Sequence, residues 1–229
     1  MKQIIASFFL AFALLYGANL LAQDEPTNRE QNIGLALGSG NDLTAFRLEY
    51  GHYWGLGERG RFKIGLGLRA HYGLGSDLRM AIVNTTNNNG DGALDQDAFV
   101  VSNFGVGGLN TVLGIKYSFN DKWDLGLKFD VLGLGFGAAQ GGDFTEQETS
   151  EITAVDTKSP NPNIAFTRGQ VMSDNLWLGY TLKQKHQIIL SFAFFGTEYE
   201  LSDNSALNLE DPRFERIHQM LFVGYNFRF

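Results

Sequence analysis

Chemistry in this chain would have to come from its four histidines, from one loop rich in Asn and Asp, or from charged residues set at every second position. The histidines are His52, His71, His186 and His218, and the chain has no Cys. None of them stands in a spacing to Ser that pairs a nucleophile with a base, so each reads as structural and no catalytic residue is assigned. The loop runs Asn87-Asn88-Asn89-Gly90-Asp91-Gly92-Ala93-Leu94-Asp95-Gln96-Asp97. Its oxygen side chains at 87, 89, 91 and 95, with Gly92 and Leu94, follow part of the ligand spacing of a calcium loop. The bidentate acid of that spacing would fall at Ala98, which has no oxygen to offer, and the first ligand is a neutral Asn. The plainer reading is a polar loop with weak calcium affinity at best. No metal site and no cofactor is expected.

The spaced charges carry more. In residues 62–74 one phase is Phe62, Ile64, Leu66, Leu68, Ala70, Tyr72 and Leu74. The other is Lys63, Gly65, Gly67, Arg69, His71 and Gly73. A period of two is the signature of a strand with one apolar and one polar face. The pattern recurs in residues 43–54, 109–119, 123–136, 175–182, 187–195 and 217–229, with a shorter first case at 33–38. Within 123–136 the phase shifts, which predicts a bulge near Val131 to Gly133. In 217–229, Gln219 and Met220 break it mildly. The total is about eight strands. Their polar face collects Arg47, Glu49, Lys63, Arg69, His71, Lys116, Asp124, Lys128, Asp130, His218 and Arg228.

The connections alternate in length. Residues 55–60, 120–122 and 183–186 are tight, whereas 76–98, 139–167 and 197–215 are long and polar. The first hairpin, 39–42, is short where a longer loop fits the pattern. Capacity decides which face is outside. About eight strands carry roughly forty bulky apolar side chains, and the inside of an eight-stranded barrel holds only its own side chains or one small ligand. The apolar face therefore points outward, and Gly on the inner face makes room for Arg, Lys and Glu. The inner charges of both signs are expected to pair and fill the lumen, because unpaired buried charge is costly. Aromatics group at the strand ends. Tyr50, Trp54, Phe62, Tyr117, Phe119, Trp123, Tyr180 and Tyr225 lie near the short turns, and Phe99, Phe104, Phe136, Phe195 and Tyr199 near the long loops. Two such belts are what a bilayer-spanning barrel carries at its interfaces.

The fold class expected is all-β, a closed antiparallel up-and-down transmembrane barrel. Composition agrees, with 28 Gly, 19 Phe and an apolar fraction of 44% in 229 residues. Beyond the first segment no apolar run is long enough for a membrane helix. That first segment reads as a signal peptide over residues 1–22. Lys2 is followed by an apolar run and by the charged Gln23-Asp24-Glu25. Residues 23–31 are then a periplasmic tail and 32–229 the barrel. Cleavage leaves 17 basic residues against 25 acidic, and this acidity argues against nucleic acid as a partner.

The signal, the alternation from Ile33 to Phe229 and the ending Leu221-Phe222-Val223-Gly224-Tyr225-Asn226-Phe227-Arg228-Phe229 together resemble the small outer-membrane barrels of the OmpA/OmpX type, as found in the outer-membrane β-barrel families of Bacteroidetes. The resemblance implies a bacterial outer-membrane location with both termini periplasmic. It also implies that Tyr225, Phe227 and Phe229 form the signal read by the barrel assembly machinery. Partners would be outer-membrane lipid, lipopolysaccharide and an extracellular partner at the long loops. The architecture hosts unrelated functions, so activity does not follow from it. A structural or surface-interaction role leads. A narrow solute channel comes second. An enzyme acting on lipid at the rim comes third, since no Ser, His and acid converge in the sequence.

Overall fold

Alternation builds strands here because each side chain on one face meets lumen and each on the other meets the exterior. The computed structural model describes residues 29–40, 43–57, 59–82, 98–137, 141–145, 152–156, 161–164, 171–200 and 213–229. The signal segment and the loop 87–97 lie outside the described residues, as does part of the long connection 139–167. The strands are β1 (Arg29–Gly40), β2 (Leu43–Leu56), β3 (Phe62–Ile82), β4 (Ala98–Ser118), β5 (Trp123–Gly137), β6 (Gly141–Thr145), β7 (Ile152–Asp156), β8 (Asn161–Ile164), β9 (Val171–Lys183), β10 (His186–Glu200) and β11 (Arg213–Arg228).

Eight of these close a ring in which every neighbour is antiparallel: β1, β2, β3, β4, β5, β9, β10, β11 and back to β1. The seam pairs the first strand with the last, from Asn32 opposite Arg228 to Gly40 opposite Met220. Strand β1 begins at Arg29, ahead of the boundary expected at residue 32. The three short strands extend the wall: β6 pairs with β4, β7 with β6 and β8 with β5.

The tight turns fall where the sequence places them. Gly57 and Gly60 take positive φ, of 74° and 53°, and the Gly60 amide donates to the Gly57 carbonyl at 3.1 Å. The Asn120 side chain accepts from the amides of Lys122 and Trp123, at 2.9 and 3.1 Å, mimicking a backbone turn. The bulge is also in place. Thr111 faces Leu132 and Val112 faces Asp130, which leaves Val131 as the extra residue.

Two features depart from the expectation at the long-loop end. Strands β3 and β4 run for 21 residues each, so residues 76–82 continue as strand instead of beginning a loop. The inner face there is mainly apolar among the described residues. Leu43, Ala45, Val101, Val106, Ala193, Phe195, Tyr199, Phe214, Met220 and Phe222 form a packed apolar cluster inside the ring. Phe195 and Tyr199 are therefore corrected from belt aromatics to interior residues, each fully buried. Their strand carries Gln187, Ile189, Ser191, Ala193, Phe195 and Thr197 on its inner face, and this phase puts Phe195 inside.

Candidate functional site: the barrel lumen

The exterior is apolar and the interior polar, the reverse of a protein dissolved in water. Leu37, Ile217 and Val223 are more than half exposed, at 62%, 65% and 57%. Arg69, Lys116 and Asp130 are buried, at 0%, 1% and 1%. The strand period alone forces this, since Lys116 and Tyr117 are consecutive and face opposite ways.

Arg69, on β3, is the centre of the upper ionic layer. Its Nε donates to Glu49 Oε2 at 2.9 Å, and its Nη1 donates to Asp130 Oδ1 and to the Ser173 carbonyl, both at 2.7 Å. Nη2 donates to Asn175 Oδ1 at 2.9 Å. The rigid guanidinium fork can address four acceptors at once, which a Lys could not. Glu49 also accepts from Lys128 Nζ. Asp130 Oδ2 lies 2.8 Å from His71 Nε2, from Asn110 Nδ2 and from the Ser173 amide. An ionised carboxylate only accepts, so His71 donates through Nε2. Arg47 donates to Ser173 Oγ at 2.8 Å and lies over the Phe222 ring, 4.0 Å from its centroid.

This layer also mends the wall. Pairing between β5 and β9 stops at Lys128 opposite Asn175, while β9 continues to Val171. At Ser173 the amide goes to Asp130 and the carbonyl to Arg69, so lumen side chains take the place of a missing strand partner.

The lower layer lies toward the short turns and is centred on Glu30. It accepts from Lys63 Nζ at 2.7 Å and from Lys116 Nζ, and Arg228 Nε lies 3.3 Å away. Arg228 also reaches Asp124, whose Oδ2 accepts from Gln187 Nε2 at 2.8 Å. Lys116 sits over the Tyr53 ring at 5.0 Å and Lys128 over the Trp177 ring at 5.1 Å. The glycines make room for these rings. A Cβ on Gly114 would come within 2.6 Å of the Tyr53 hydroxyl, and one on Gly126 within 2.6 Å of the Trp177 indole.

Ten of the eleven expected lumen residues thus fall into two layers. Arg47, Glu49, Arg69, His71, Lys128 and Asp130 make one, and Lys63, Lys116, Asp124 and Arg228 the other. The eleventh, His218, is buried but stands apart near the long-loop end, with Nε2 3.3 Å from Thr197 Oγ1. The residues missed by the sequence reading are Glu30, Tyr53, Ser173, Asn175, Trp177 and Gln187. Tyr53 shares the phase of Arg47 and Glu49, and Trp177 that of Asn175 and Gly179, so phase alone was a usable signal for both. Within the upper layer a cavity of about 20 Å³, bordered by Arg47, Glu49, Lys128 and Trp177, has room for about one water. Among the described residues no group of three or more His, Asp or Glu is placed to hold a metal ion.

No protein-family model and no curated protein matches the chain. Solved structures similar to it include a major outer membrane protein from Thermus thermophilus, at 11% identity and a TM-score of 0.42, covering 88% of this chain and 99% of that one. Ail, the attachment invasion locus protein of Yersinia pestis, in complex with the heparin analogue sucrose octasulfate, is similar at 10% identity and 0.37, covering 88% and 97%. Neisserial surface protein A is similar at 6% identity and 0.35, covering 88% and 96%. Similarity this low carries no weight for function, and the fold stands on the chain's own closed strand pairing.

Proposed function

We propose that this chain is a bacterial outer-membrane barrel with a plugged lumen, whose role is to hold its long loops at the cell surface for structure or for contact with a partner. The observation that carries the reading is the filling of the lumen. Two ionic layers are topped by the apolar cluster of Phe195, Tyr199, Phe214, Met220 and Phe222, whose members are at most 1% exposed. A conducting pore needs charges that line open water, and a packed apolar layer across the lumen opposes ion passage. The membrane location is supported by the exterior. A closed ring leaves no strand edge between its paired strands, and its outer face is apolar around the circumference. Tyr50, Phe62, Tyr117, Phe119, Trp123 and Tyr225 face outward at the short-turn end, where an interfacial belt belongs.

With eight ring strands both termini lie at the short-turn end, which for an outer-membrane barrel is the periplasmic one. The terminal Tyr225, Phe227 and Phe229 are read as the assembly signal, and lipopolysaccharide as the surrounding lipid. Planar-bilayer recording tests the plugged lumen. Unitary conductance steps from the purified, detergent-folded protein would refute it, and a silent bilayer is the expected result. The enzyme reading gains nothing from the histidines. His71 is spent on Asp130, and His186 Nδ1 lies 2.5 Å from the Tyr225 hydroxyl.

A further inference from the structure

Besides the gap between β5 and β9, a second place in the wall is not closed by the paired residues of the eight ring strands. The β1–β2 hairpin is short, and its last pairs with its neighbours are Gly40 with Met220 and Leu43 with Gly75. Above it β11 and β3 meet each other directly, Glu215 with Ala81 and Phe214 with Ile82. Between these two levels, residues 216–219 of β11 and 76–80 of β3 face each other with no strand partner on that side among the described residues. The result is a window framed by the hairpin below and the β3–β11 pair above.

A cavity of about 600 Å³ occupies the β11 side of this window. Its lining is mostly outward-facing, with Ile217, Gln219 and Leu221 well placed on the exterior, and it also touches His218 and Met220, which are buried. The polar lining is Arg216, His218, Gln219 and Ser39, and among the described residues it holds no carboxylate. The Arg216 guanidinium carries five donors, so it can keep an existing partner and still address an anion. The outer mouth is flanked by Phe192, Ile217 and Leu221, all well exposed on the barrel's apolar surface.

The level of the window matters. Outward residues on β11 run Tyr225, Val223, Leu221, Gln219, Ile217 and then Glu215. Tyr225 marks the short-turn interface and Glu215 the first outward charge, and the eight residue steps from Tyr225 to Ile217 span about 20 Å along the normal of a tilted strand. The window therefore opens at the far interface, where lipid phosphates lie. Gln219 is the one polar residue in the apolar run, and Met220 beside it points inward. This is the phase break visible in the sequence, and it coincides with the window.

We propose that the window binds the phosphate-bearing headgroup of an outer-leaflet lipid, held by Arg216 and Gln219, with an acyl chain along Phe192, Ile217 and Leu221. The inference rests on the membrane reading above. A polar edge at that depth is tolerated where a headgroup satisfies it, and an Arg–phosphate contact supplies charge-assisted bonds.

The test is native mass spectrometry of the detergent-folded protein offered diphosphoryl lipid A, the same lipid without its phosphates, or inorganic phosphate. The expected result is retention of one diphosphoryl lipid A per barrel. Retention should fall about tenfold or more for the dephosphorylated lipid, for Arg216→Gln and for Gln219→Leu, the loss of one hydrogen bond to a charged group. Equal retention of the two lipids, or by wild type and Gln219→Leu, overturns the site. Displacement of the lipid by millimolar inorganic phosphate would make it a free-anion site and overturns the lipid assignment. Gln219→Leu restores the apolar run and so keeps the barrel intact if Arg216→Gln does not fold. A wild type that folds in detergent but retains no lipid removes this inference alone. One that needs no detergent removes the membrane reading itself.

Discussion

Arg69 and Lys63 both pair with carboxylates in the lumen, and the difference between them is exposure. Arg69 is completely buried and serves Glu49, Asp130, Asn175 and the Ser173 carbonyl. Arg69→Leu leaves two buried carboxylates short of a partner and is expected to cost about 3–5 kcal/mol. Lys63 is 18% exposed and shares Glu30 with Lys116 and Arg228. Lys63→Gln is expected to cost about 1 kcal/mol or less. Urea titration of the folded protein in detergent, followed by tryptophan fluorescence, measures both. Equal losses would mean that the network is not organised around Arg69. The charged lumen residues were legible because strand phase fixes the direction of each one. Glu30 was not, since it precedes the first clear alternation and only its partners on β3, β4 and β11 show that it belongs inside. Ser173 and Asn175 are ordinary polar residues, and their value comes from a gap between β5 and β9 that no local pattern announces.

At the level of elements, tight turns and the bulge at Val131 were readable because Gly, Asn and a phase shift have local causes. The window was half-legible. The short first hairpin and the Gln219–Met220 break were both visible, yet their coincidence depends on the register between β1 and β11. The interior apolar cluster is not legible from bulk, because most bulky residues of this chain pack outward while Phe195 and Phe222 follow the inner phase of their strands. Gly114 and Gly126 lie where the inner wall must pass close to Tyr53 and Trp177. Gly114→Val is expected to destabilise the barrel by about 1–3 kcal/mol, the cost of overpacking, in the same urea assay. Tyr53→Ala in that background should recover part of the loss, and no recovery would mean that the ring is not what Gly114 accommodates. If the last strand carries the assembly signal, replacing Phe229 and Phe227 by Ala should lower the amount of heat-modifiable protein in the outer membrane. Refolding of the same variant in detergent should be little changed. Unchanged outer-membrane levels would assign the terminal aromatics to the interfacial belt alone.

For the whole molecule the organising fact is segregation. Six cations and four carboxylates are enclosed in the two ionic layers, from Glu30 and Arg228 at the short-turn end to Arg47 and Asp130 above. Inner and outer side chains alternate along each strand, so neighbours in the chain meet opposite surroundings. Leu176 is 48% exposed and Trp177 is 3% exposed. Moving a tryptophan by one residue therefore moves it from the apolar exterior to the lumen. With Trp54 and Trp123 replaced by Phe, one variant keeps Trp177 and a second carries Leu176→Trp with Trp177→Leu. Both are reconstituted in vesicles whose acyl chains bear bromine. Strong quenching of the tryptophan at 176, with that at 177 spared, is the expected result. Equal quenching at the two positions, or none at 176, would contradict the arrangement of apolar exterior and ionic interior.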